Sequence, residues 1–411
     1  MLNRIFTLYK DSLSGLSRPV WILTLISLVN RSGTMVIPFL SIYLTEELGL
    51  SLVQTGYVMV FFGLGSLGGS FLGGRLADWI GAYQTMFWSL ILTGLGFYGL
   101  QYMDTFWSVS LSIFFLMIIA DSYRPAVIAA MEVYSKPENR TRSFSLLQLA
   151  INLGYAVGPA AGGVLAHVYG YEWLFWIDGT TCILAGLTFR FLLQEKRRTK
   201  TVEEKAEQKV AKAQAVSAYR DPFYLVFIGV TCLGAMVFIQ LFSTIPVFFR
   251  QELHFSEATI GALMAMNGGV IFLIEMPMVY LLEKRYPSLG IVAGGVFLFG
   301  ICYLLLNLGF MAAVILGVLA ITVGEIMNFP FANSFAMSYA PPARLGEYSG
   351  LYTMSFSLAH LLAPLLGMQI AEHFGFSVLW YTAFGVSIAI LPGYRWLLRR
   401  SEQQNLLLVQ D

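Results

Sequence analysis

Three ionised residues of this sequence stand where ions are costly. Arg31, Arg124 and Glu325 each fall within a long apolar run, and a charged side chain at the centre of a bilayer costs on the order of 3 kcal/mol on insertion scales. Groups kept at that cost face a partner or a wet cavity. A guanidinium grips a carboxylate with planar, forked donors. A carboxylate in apolar surroundings changes its ion pairs when it takes up a proton, which is the differential affinity that coupling needs. The set suits binding of an anionic or zwitterionic organic solute linked to protonation. Asn30 beside Arg31 and Asn328 just after Glu325 are polar neighbours for the same solute. Glu275, Glu132 and Asp178 are further candidates to carry the proton. The blander reading has Asp121, Glu132 or Asp178 paired structurally with the arginines. His360, within another apolar run, could titrate near neutral pH, although a lone buried histidine is more often a satisfied core residue. His167, His254 and His373 are not at metal-ligand spacing, so no metal site is expected.

The elements that must position these groups are membrane helices. The chain is 57% hydrophobic and 12% charged, against about 25% charged in soluble proteins. A net charge of +1 gives no ground for a nucleic-acid partner. Apolar runs of the length a bilayer demands occur at 20–44, 53–77, 83–103, 107–133, 143–167 and 173–194, then at 223–249, 257–282, 289–308, 311–339, 348–371 and 376–397. The expected fold is all-α, with twelve transmembrane helices in two six-helix bundles, residues 20–194 and 222–398. Residues 1–19 read as a cytoplasmic amphipathic segment, 195–221 as a Lys/Glu/Ala-rich linker free of Gly and Pro, and 399–411 as a tail. Of the 25 Lys and Arg, only Arg250 falls on the side opposite the termini, which makes both termini cytoplasmic by the positive-inside rule. Cys182, Cys232 and Cys302 all lie in apolar runs and behave as small hydrophobes.

The two bundles are copies. Pro125, Tyr134, Pro137, Pro159 and Gly170 recur as Pro330, Tyr339, Pro342, Pro364 and Gly375, each 205 positions on. Ile37-Pro38 recurs as Ile245-Pro246 with a three-residue slip. Parallel duplication of a helical unit is a plan used by secondary transporters. Gly154, Gly158 and Gly162, with Pro159 among them, form a small-residue face on which another helix can come close. That face serves either as a gate between rocking spans or as plain packing. Gly63-Leu64-Gly65-Ser66-Leu67-Gly68 fits a dinucleotide pattern, but no strand precedes it.

Gly74-Arg75-Leu76-Ala77-Asp78-Trp79-Ile80-Gly81 resembles the loop signature of the major facilitator superfamily, with Arg75 and Asp78 as its only charges. The run from Gly154 to Gly163 resembles the fifth-helix motif of that superfamily's drug–proton antiporters. Arg31, Arg124-Pro125 and Glu325 are also similar to the positions at which proton-coupled oligopeptide transporters hold peptide termini, though Ser27 and Asn30 stand where that family has glutamates. The resemblance implies a proton-coupled secondary transporter working by alternating access. It would move a small amphipathic solute, with export by antiport ahead of peptide-like uptake; a channel or a non-transporting receptor is the reading from another class. Gly74, Asp78, Gly81, Gly154, Gly158, Pro159 and Gly162 would then gate. The chain would be a monomer in a bacterial inner membrane, with the proton gradient in place of a cofactor.

Overall fold

Proline weakens a helix wherever it falls within an apolar run. It lacks the amide that the carbonyl four residues earlier needs, and its ring crowds that carbonyl. The computed structural model describes residues 15–136, 139–196, 216–341 and 344–408. Most of the expected amphipathic segment and linker, and the end of the tail, lie outside these residues. The described residues form twelve helical columns, and four are interrupted just ahead of a proline. The first is α1 (Arg18–Ser32) and α2 (Val36–Ile42), broken ahead of Pro38, with a π-helical turn at Tyr43–Glu47. Next come α3 (Leu52–Trp79) and α4 (Ala82–Leu100). The fourth column is α5 (Phe106–Asp121) and α6 (Tyr123–Tyr134), parted at Ser122 ahead of Pro125; α7 (Arg140–Tyr169) and α8 (Glu172–Leu192) complete the first set.

The second set opens with α9 (Pro222–Ile239) and α10 (Thr244–Gln251), interrupted ahead of Pro246. It continues with α11 (Glu257–Glu283), α12 (Ser288–Leu306), α13 (Met311–Tyr339) and α14 (Leu345–Phe374), then α15 (Phe376–Ala389) and α16 (Leu391–Leu408) ahead of and around Pro392. Pro159, Pro277, Pro330 and Pro364 lie inside unbroken helices. Residues 399–408, expected as a tail, continue α16. Ten columns among the described residues are long and apolar enough to cross a membrane. The other two, α4 and α8, are 19 and 21 residues long, and α8 carries Glu172, Asp178 and Arg190.

The helix bounds follow the sequence repeat. α7 and α14 are each 30 residues long and lie 205 positions apart at both ends, as do the column from Phe106 to Tyr134 and α13. Gly170 and Gly375 end these helices at φ 91° and 84°, left-handed values that a side chain would strain.

By contact the chain divides into two compact units. The first holds Met1–Tyr43, Phe61–Thr199 and Phe255–Gly269; the second holds Leu44–Val60, Lys200–His254 and Val270–Asp411. The start of α11 therefore groups with the first set of helices, and the start of α3 with the second. Lipid tails supply no hydrophobic force between helices, so close backbone approach has to hold them. In the first unit a Cβ on Gly94 would meet the Gly179 carbonyl at 2.6 Å, and in the second a Cβ on Gly324 would meet the Gly295 carbonyl at 2.7 Å. Around such contacts Leu23 and Ile26 of α1, Met86 and Leu90 of α4, Val127 of α6, Leu147 of α7 and Phe189 of α8 form a continuous core.

The break in the first column is closed by a side chain. Asp178, fully buried on α8, accepts the Met35 amide at 2.9 Å and the Val36 amide at 2.9 Å, capping the start of α2. An amide left unpaired there would cost about 1–3 kcal/mol. Asp178→Leu should lower the melting temperature of the purified protein by several degrees, and Asp178→Asn, which keeps an accepting oxygen, by less. A melting curve for Asp178→Leu that overlays the parent's would show that the cap contributes nothing.

Candidate functional site

A helix end favours a cation at its C-terminus and disfavours one at its N-terminus. The two arginines of the first unit sit at opposite ends in this sense, and their surroundings differ accordingly. Arg31 lies in the last turn of α1, where the dipole favours it; its guanidinium carbon stands 5.6 Å from the centre of the Tyr155 ring, within cation–π range. Arg124 lies in the first turn of α6, where the dipole opposes it, and a carboxylate compensates. Its Nε is 3.4 Å from Asp121 Oδ1, and Asp121 Oδ2 accepts a hydrogen bond from Ser66. The Arg124 side chain is still 51% exposed, so the pairing does not seal it. Tyr155 is an electrostatic neighbour of Arg31, Arg124 and Asp121 alike. Ser27 and Tyr123 share a hydrogen bond of 3.0 Å nearby, and Asn30 donates to Cys182 Sγ at 3.5 Å.

The structure thus gathers Arg31, Arg124, Asp121, Tyr155 and Ser66 in one unit. Of the three carboxylates expected as structural partners, Asp121, Glu132 and Asp178, it is Asp121 that pairs with Arg124, at i, i+3. Tyr155 and Ser66, which the sequence does not single out, join this cluster. Both sit inside glycine runs, where the spacing of the glycines masked them. Asp178, a candidate proton carrier, caps α2 and pairs with neither arginine among the described residues. Glu132 lies half-buried on α6.

The glycine face has a definite occupant. A Cβ on Gly154 would fall 2.5 Å from Arg31 Cβ and 3.0 Å from Ser32 N. On Gly158 it would meet the Ser32 carbonyl at 3.2 Å, and on Gly162 it would meet Met35 Cβ at 3.0 Å. These glycines press α7 against α1 across its break. The neighbouring face of α7 meets the start of α11 instead, where a Cβ on Gly163 would lie 2.9 Å from Gly261 Cα and one on Gly268 would lie 2.7 Å from Ala156 Cα. There Glu257, itself buried, accepts from Tyr171 OH at 3.2 Å and has His167 Nδ1 at 3.2 Å. Of the expected loop signature, Gly74 to Trp79 continue α3, with open space around Gly74, and only Ile80 and Gly81, the latter at φ 95°, lie beyond the helix. Asp78 and Trp79 are exposed.

In the second unit Glu325 is half-buried on α13 and Asn328 is buried one turn on. Phe329 next to them packs on Phe238 at 4.8 Å and Phe356 at 5.5 Å. His360 Nδ1 is 2.9 Å from the Phe356 carbonyl. Glu275 is half-buried on α11 among exposed Leu273 and Met276. The interruption between α9 and α10 is bridged by Gln240, which donates to the Ala363 carbonyl at 2.8 Å and accepts from Thr244 at 2.6 Å.

Comparison with known proteins places this architecture. A model of the major facilitator superfamily matches residues 20–364, and the chain belongs to that superfamily. It is a membrane transporter rather than an enzyme. Among characterised relatives it is 24% identical to a Na(+), Li(+), K(+)/H(+) antiporter of Planococcus maritimus, over 90% of this chain and 92% of the relative. It is 25% identical to the quinolone resistance protein NorA of Staphylococcus aureus, over 86% of this chain and 90% of that one. Among solved structures a POT family transporter in complex with 5-aminolevulinic acid superposes with a TM-score of 0.76 at 16% identity, covering 94% of this chain and 98% of the other. A peptide transporter POT in complex with sulfate gives 0.76 at 17%, covering 94% and 96%. At these identities the structures speak for the fold.

The fit of α7 on α1 yields a graded expectation. Overpacking costs about 1–3 kcal/mol where neighbours cannot move. Gly154→Ala, which meets Arg31 Cβ at 2.5 Å, should reduce both melting temperature and transport; Gly158→Ala, whose Cβ would press on three backbone carbonyls at 3.2–3.3 Å, should cost less, and Gly158→Leu more than either. Equal tolerance of alanine at the two positions would mean that this helix pair has slack.

Proposed function

We infer that this transporter exports a small amphipathic organic solute carrying a carboxylate or a zwitterion, in exchange for protons. The observation that carries the reading is the cluster of Arg31, Tyr155, Arg124 and Asp121 on apolar spans, with the Arg124 guanidinium open to a ligand although already paired. A solute carboxylate would engage the guanidinium groups and a flat apolar part would lie against Tyr155. Glu325 is assigned the proton, with Glu275 and Glu132 as further carriers. Efflux is favoured over uptake by the fifth-helix glycine run and by the relation to a quinolone resistance protein. The antiporter relative supports a second reading, exchange of monovalent cations for protons, in which Glu325 would hold the cation and the arginines would be structural.

A transport assay in proteoliposomes with an imposed proton gradient separates these readings. The panel should contain carboxylated and cationic drugs, di- and tripeptides, and sodium and potassium. Glu325→Gln should abolish accumulation against a gradient while sparing downhill exchange of solute. Arg31→Lys and Arg124→Lys keep the charge but lose the fork, and should weaken carboxylated solutes about tenfold more than neutral ones, the value of about one charge-assisted hydrogen bond. Concentrative transport by Glu325→Gln at parental level would refute the proton assignment. Gradient-driven movement of sodium or potassium alone would favour the second reading.

A further inference from the structure

At the end of the first unit where α1 begins and α6 and α8 finish lies a groove of about 750 Å³. Its floor and one wall are apolar, formed by Pro19, Ile22, Leu192 and Leu193; its rim carries Arg18, Lys136 and Lys196, against one acid, Glu195. The three cations form no ion pair with any described residue, while Glu195 is bound by Gln84 at 2.8 Å.

Helix stability does not explain Arg18. Arg18 is the first residue of α1, where the dipole disfavours a positive charge, and no acidic residue stands in that turn to offset it. The carbonyls at the ends of α6 and α8 are already engaged: Tyr134 O by Ser17, Gln194 O by Tyr134 OH, and Leu193 O by Tyr83 OH. Three cationic side chains and the N-terminus of α1 against the single carboxylate of Glu195 leave the groove net positive.

The flanks identify the kind of ligand. Phe191, 83% exposed, and Trp21 stand beside the groove on the same helix ends, at the level where aromatic side chains mark the membrane interface. A free anion has no use for the apolar wall. We propose that this groove is a binding site for the headgroup of an anionic phospholipid, its phosphate on the Arg18, Lys136 and Lys196 rim and its glycerol and first acyl carbons along Ile22 and Leu192. Basic pockets between helix ends on the cytoplasmic side are suited to such lipids.

The test uses the purified full chain, stripped of lipid in a neutral detergent. Phosphatidylglycerol, phosphatidylcholine and sodium phosphate are titrated separately, with melting temperature and native mass spectrometry as readouts. Phosphatidylglycerol should raise the melting temperature and remain bound at concentrations where phosphatidylcholine does neither. The combined Arg18→Gln, Lys136→Gln and Lys196→Gln variant should lose more than tenfold in apparent affinity, since each cation near the surface contributes about fivefold. Lys196→Gln alone, at an exposed position after α8, should show a single step of that size and serves if the triple variant is recovered poorly. Lys284→Gln with Arg285→Gln, a charge change elsewhere, should leave the response intact. The proposal is overturned if phosphatidylcholine acts as well as phosphatidylglycerol, if the triple variant responds like the parent, or if phosphate alone reproduces the whole shift, which would make the ligand a free anion.

Discussion

Within a bilayer a backbone amide that loses its helical partner has no water to turn to, and the break between α1 and α2 makes that loss good with the Asp178 carboxylate. At the break between α9 and α10, Gln240 links its column to the Ala363 carbonyl of α14 and accepts from Thr244. The Asp178 cap has more consequences. It ties the first column to α8 just where α7 presses its glycines against the exposed carbonyls of Ser32 and Thr34, so Arg31 is held at the end of α1 by contacts on two sides.

That placement explains why two arginines so near each other have such different company. Arg31 has the dipole of its own helix behind it and needs only an aromatic face. Arg124 opens a helix, faces the wrong pole, and takes Asp121 as compensation.

Much of this was legible from residue order. The twelve runs, the repeat and the apolar setting of Arg31, Arg124 and Glu325 follow from hydropathy and spacing, because a bilayer demands a fixed length of apolar chain. The prolines marked the breaks, yet the sequence could not tell Pro38, Pro125, Pro246 and Pro392, which follow interruptions, from Pro159 and Pro364, which helices absorb. That outcome depends on whether a neighbour can supply a polar group, and neighbours are a tertiary matter. For the same reason Asp178 read as a possible proton carrier, and the glycine run as a face without a known occupant.

The interruptions have one more consequence, which concerns chain length. The first columns of the two sets, Arg18–Glu47 and Pro222–Gln251, are both 30 residues long, yet the segment ahead of the break is 15 residues in α1 and 18 in α9. The difference is recovered in the π-helical turn at Tyr43–Glu47, which has no counterpart after α10. In an unbroken helix three extra residues would swing every later side chain around the axis by most of a turn. A broken one resets its register. A change in length that would turn the rest of α7 or α14 about its axis is confined here to one side of the break, which is how the first columns of two duplicated halves differ in segment length while α7 and α14 stay in step.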